Sequence, residues 1–97
     1  MKRIDFMFAI GYQGVSAIVD KHAKNQYGKL SPLELAEKGF FKSAFCGALY
    51  DDDSSELSSI VEIYNKMSGD TVTSVDSMKR LLGVFSVPVD ISKVIYV

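Results

Sequence analysis

Hydrophobic and polar positions alternate from Arg3 to Ile10. Ile4, Phe6, Phe8 and Ile10 fall on one side, with Asp5, Met7 and Ala9 on the other. A period of two that includes aromatics predicts a β-strand. Gly11-Tyr12-Gln13-Gly14 follows, and its two glycines, suited to positive φ, make it a hairpin loop. Val15–Val19 is then the return strand. The same stretch also fits a helix, because Val15, Ile18, Val19, His22 and Ala23 are spaced i, i+3, i+4, i+7 and i+8. Periodicity leaves Val15–Gln26 open between strand and helix. The reading adopted is a strand through Val19 and a helical turn over Lys21–Gln26.

Helical signals dominate the middle of the chain. Ser31 is a good N-cap, Pro32 suits the first helical position, and Glu34 completes a capping box. The helix continues through Glu37-Lys38 to Gly39, which either ends it or is tolerated within one longer helix to Tyr50. From Phe40 to Tyr50 only Lys42 and Ser43 carry polar side chains. A helix that is apolar nearly all round must be surrounded by protein, so this stretch predicts the central core element. Asp53 with Glu56 forms a second capping box, followed by the amphipathic stripe Leu57, Ile60, Val61, Tyr64 and Met67, with Gly69 as the closing residue. Thr73 or Ser74 caps a third helix with Val75, Met78, Leu81 and Leu82 on its apolar face and Gly83 as its stop. Pro88 keeps Val87–Val89 extended. Ile91–Val97 alternates again and predicts a last strand.

The expected fold class is α+β: an N-terminal β-hairpin, three helices and a C-terminal β-strand (β-β-α-α-α-β), with the helices on one face of a three-stranded sheet. A mostly α bundle is the alternative if Val15–Gln26 is helical. A chain of 97 residues makes one domain, spanning residues 1–97. Apolar residues are 47% and charged residues 24%, ordinary values that exclude wholesale disorder.

Charge changes this picture only locally. The net charge of -1 gives no overall pull towards nucleic acid or anionic lipid. Through Tyr50 seven basic residues face four acidic ones; from Asp51 onward four face eight. Solvated faces that partly attract one another account for the imbalance, and head-to-tail self-association or a basic docking patch is the sharper alternative. A single cysteine rules out an internal disulfide and a cysteine-based metal site, and suits a reducing, cytoplasmic compartment. The apolar run Phe6–Gly11 is short for a secretory signal, and no run approaches the roughly 18 apolar residues of a transmembrane span.

Candidate chemistry is sparse. Leu35–Gly39 followed by a helix superficially resembles a helix-turn-helix, but the second helix offers Phe41, Ala44, Phe45 and Cys46 where a reader needs polar groups for base edges. Gly11–Gly14 has GxxG spacing without a basic residue or flanking helices. Cys46 with His22 as base would need an accessible thiolate, whereas Cys46 lies in the most apolar run. Asp51–Asp53 invites calcium, but Glu56 stands where the loop needs glycine, and helix capping accounts for the acids. No phosphate-cradling motif is present. No catalytic, cofactor-binding or metal-binding residue is assigned, and no cofactor or enzymatic activity is expected. The residues singled out for contact are Tyr12, in the first loop, and the basic-aromatic segment Lys21, Lys24, Tyr27 and Lys29. The expected function is a small interaction or regulatory module that recruits a protein partner or a second copy of itself, since the apolar segment Val94–Val97 could leave a sheet edge unpaired. The alternative is a nucleic-acid-binding accessory protein using Lys21–Lys29.

Overall fold

The computed structural model describes residues 1–97 and has an α+β fold with a three-stranded mixed sheet and six helices. It departs from expectation at the start. Arg3–Met7 is a helix, α1, and not the first half of a strand. Phe6, Met7, Phe8 and Ala9 are all buried, and Asp5 with them. A segment enclosed on every side carries no facial pattern, so its alternation has no meaning for strand or helix. Packing against a neighbouring helix decides the conformation instead, because five residues are too few to hold a helix by propensity.

The hairpin lies one step further along. β1 is Ala9–Gln13 and β2 is Ser16–Val19, with Gln13 paired to Ser16. Gly14, at φ +60, opens the connecting turn, so Gly11 and Tyr12 belong to the strand and not to the loop. A register shift between Ala9 and Gly11 makes Ile10 a bulge. Beyond β2, Asp20 caps α2, Lys21–Tyr27, by accepting a hydrogen bond from the Ala23 amide. Val15–Gln26 is therefore a strand followed by a helix.

Ser31 and Glu34 form the reciprocal capping box at the start of α3, Pro32–Glu37. Gly39, at φ +89, ends it, and α4, Phe41–Tyr50, begins a new direction. Ala44, Phe45 and Ala48 are fully buried, so α4 is the pillar its composition predicts. A Cβ at Gly47 would come within 3.0 Å of Pro32 and 3.1 Å of Met7, so this glycine lets α1 and α3 close on α4. α5, Ser54–Ser68, is capped by Asp53 alone; no bond returns from the Glu56 side chain, so the expected second capping box is one-sided. Gly69 and Gly83, both left-handed, close α5 and α6, Val75–Leu82, and Ser74 caps the latter.

β3, Lys93–Tyr96, runs parallel to β2 and completes the order β1-β2-β3. The sheet buries the side bearing Ala17 and Val19, both 0% exposed. One hydrophobic cluster joins that side to α1, α3, α4, α5 and α6. Only Arg3–Asp51, a bidentate pair at 2.9 Å, links the basic and acidic halves of the chain by an ion pair.

Candidate functional site

The expected contact residues do not form one surface. Lys21 and Lys29 are exposed cations at and beyond the ends of α2. Tyr27 is half-buried, its ring 4.5 Å from that of Phe40. Lys24 is partly exposed, and its amine is already bonded within the fold. Its Nζ donates to Asp5 Oδ1 at 2.9 Å and to the Tyr96 hydroxyl at 3.0 Å, and the same hydroxyl donates to Asp5 Oδ1 at 3.0 Å. The ammonium also lies 4.4 Å from the Tyr96 ring centroid, within cation–π range. The hydroxyl of Tyr96 and the carboxylate of Asp5 both favour the charged amine and raise the Lys24 pKa. Asp5 is 2% exposed, the one buried charged residue of the fold, and this triad satisfies it. It ties α1, α2 and β3 together.

Tyr12 belongs to a different site. Tyr12 pairs with Ala17 in the hairpin, so its side chain lies on the buried side of the sheet at the β1 edge. There it overhangs a cleft of about 260 Å3. Phe6, Ala9, Cys46 and Val84, all buried, make the floor. Tyr12, Lys42, Phe85 and Ser86, all exposed, make the rim. Burial pushes the Cys46 thiol up to about 12, against a smaller opposing pull from the Lys42 ammonium. Burial, and secondarily Cys46, also raises the Tyr12 phenol. Both groups are therefore protonated near neutrality, and Lys42 is the one charge on the cleft wall. Burial of Cys46, at 2% exposure, favours the neutral thiol over the thiolate.

The sequence marked two of these positions, Tyr12 and Cys46. It also marks Lys42, which with Ser43 makes the two polar breaks in an apolar helix and too poor a pair to read base edges. Val84 and Phe85 come from the segment after α6 and carried no signal at all. His22 is exposed on α2 and does not line the cleft. Asp51 is spent on Arg3 and Asp53 on the α5 cap, and no group of three or more His, Cys, Asp or Glu side chains is arranged to hold a metal.

The third feature is the β3 edge. The Lys93 amide donates to Val15, the Val97 amide donates to Val19, and the Val97 carbonyl accepts from Lys21. Lys93 and Val97 thus turn their backbone towards β2. Val94 and Tyr96, one residue out of phase, turn theirs towards the open side. Ile95, Tyr96 and Val97 are 38%, 45% and 65% exposed along that edge. Ile95 pairs with Ile18 on the outer face of the sheet, opposite to Ala17 and Val19.

No helix is long and apolar enough to cross a membrane. Comparison with protein-family models, with curated proteins and with solved structures found no match.

Proposed function

We propose that the chain is a protein-interaction module that pairs with a second copy of itself through the β3 edge. The observation that carries this reading is the outward-facing backbone of Val94 and Tyr96 on an exposed, apolar edge strand. Such a row of unpaired N–H and C=O groups is a template for strand addition. The edge is also self-complementary. Antiparallel pairing with Ile95 on the two-fold axis sets Val94 opposite Tyr96 of the second copy, and Tyr96 opposite its Val94. All four outward groups of each strand then find partners, as an isologous contact requires. The pairs are β-branched with aromatic on the inner face and isoleucine with isoleucine on the outer face, each worth roughly 0.2–1 kcal/mol over alanine. Ile18 sits beside Ile95 in the register, so the outer face of the joined sheet would carry a continuous isoleucine row. No like charges meet in this alignment. With a strand of 4 residues, the contact is short and belongs to the transient class.

Light scattering coupled to size exclusion, over a range of protein concentrations, tests this reading. The expected result is a monomer–dimer equilibrium. Ile95→Lys and Ile95→Glu each place like charges opposite each other at the axis and are expected to be monomeric, whereas their mixture pairs lysine with glutamate and restores a dimer. A monomer at every concentration, or a dimer that persists in Ile95→Lys, overturns the proposal.

A further inference from the structure

We propose that the cleft beneath Tyr12 binds a small apolar molecule that carries a carboxylate. It lies at the β1 edge, on the other side of β2 from the dimer contact proposed above, and stands independently of it. Its form gives the ligand's size. A volume of about 260 Å3 lies just below the range of roughly 300–1,000 Å3 usual for drug-sized ligands, so the ligand is small. At about 30 Å3 for each water-sized group, it admits roughly nine non-hydrogen atoms.

Its chemistry gives the ligand's polarity. The floor is apolar, and its one heteroatom, the Cys46 sulfur, stays an uncharged thiol. A bound group there gains by leaving water and asks for no hydrogen bond. The rim carries a single cation, Lys42, and no acidic residue. Lys42 takes part in none of the ion pairs of the fold. The closest acidic residue by shared lining is Asp20, across an adjoining hollow, and its carboxylate already caps α2. An ammonium at the mouth of an apolar cleft, with no carboxylate of its own, complements an anion attached to an apolar body. The hydroxyls of Tyr12 and Ser86 add donors on the same rim. A carboxylate suits this arrangement because it accepts from an ammonium and a hydroxyl at once.

Octanoate is the probe, with 1-octanol and octylammonium as controls, titrated into the isotopically labelled full chain at neutral pH and followed by NMR. Octanoate is expected to give saturable shifts centred on Tyr12, Lys42 and Phe85. Octanol should bind more weakly at the same residues, and octylammonium should not saturate. Lys42→Met, at an exposed position that leaves the core intact, is expected to weaken octanoate about tenfold and to leave octanol unchanged. Equal binding of octanoate and octylammonium, undiminished octanoate binding by Lys42→Met, or no saturable shift at those residues overturns the proposal. Shifts confined to Val94–Val97 would also overturn it, since they would report on the other edge.

Discussion

Removing the amine of Lys24 is expected to destabilise the fold more than removing both members of its ion pair. The asymmetry comes from burial. The Asp5 side chain is 3% exposed, while that of Lys24 is 22% exposed. Lys24→Met leaves a buried carboxylate with a single phenol donor. Breaking a buried pair from one side costs about 3–5 kcal/mol, and the lower end, about 3 kcal/mol, applies because water can follow the partly open Lys24 channel. Tyr96→Phe leaves the ion pair but removes one charge-assisted hydrogen bond, for about 1.5 kcal/mol. Asp5→Leu combined with Lys24→Met removes both charges and puts an apolar side chain among apolar neighbours. That double variant is expected within about 1 kcal/mol of the parent protein, and so roughly 2 kcal/mol more stable than Lys24→Met alone. Against a total stability on the order of 5–15 kcal/mol these differences are large. Urea unfolding at pH 7, followed by circular dichroism and extrapolated linearly, resolves them. A loss below about 1 kcal/mol in Lys24→Met, or a double variant less stable than the single, would refute the reasoning.

Two further outcomes follow from burial. Phe45 is fully buried on α4, so Phe45→Ala should cost about 3–5 kcal/mol in the same assay; a loss below about 1 kcal/mol would mean that α4 is not the core pillar. Cys46 titrates near 12 in the fold against an ordinary value of 9.0, so between those pH values the unfolded thiol releases its proton while the native one keeps it. Stability from this group is complete below pH 9 and falls by up to about 1.4 kcal/mol per pH unit above it. The raised pKa values of Tyr12 and Lys24 act with the same sign. Alkaline urea titrations should therefore show a shallower decline in Cys46→Ala than in the parent; equal slopes would show that burial does not hold the thiol neutral.

Legibility in the sequence tracked how local each cause was. The caps at Ser31, Asp53 and Ser74 use a side chain and an amide three residues away; the first two stand where the sequence places them, and Ser74 is one of the two residues it offers for the third. Gly39, Gly69 and Gly83 adopt the positive φ that ends a helix, again a single-residue property. The last strand followed from its own alternation. α1 did not, because its conformation depends on α4 pressing against it. Tyr12 was singled out in a loop and is a strand residue, because the turn uses Gly14 and the bulge at Ile10 takes up the extra length. Asp5 read as an ordinary alternating polar position. Its meaning depends on Tyr96, 91 residues later, which no local pattern connects to it. The cleft is similar, since Phe6, Cys46 and Val84 come from three distant parts of the chain.

Tyr96 links the stability of the fold to the availability of its edge. Its side chain lies on the buried side of the sheet, in register with Val19, and bonds Asp5 and Lys24 there. Its backbone faces the opposite way from β2, along the open edge. The triad therefore holds β3 in position by side-chain bonds that leave the outward N–H and C=O free. Without it, a strand of 4 residues would rely on its ladder to β2, the hydrogen bond from the Lys21 amide to Val97 and the packing of Val94. Two variants separate these roles. Ile95→Lys acts at the axis on the outer face and should abolish pairing with little change in the stability of the monomer. Tyr96→Phe keeps the edge backbone but loosens its tether, so it should weaken pairing and monomer stability together. If Tyr96→Phe lowers stability while leaving pairing intact, the triad serves only the core, and the edge needs no help from it to stay ordered.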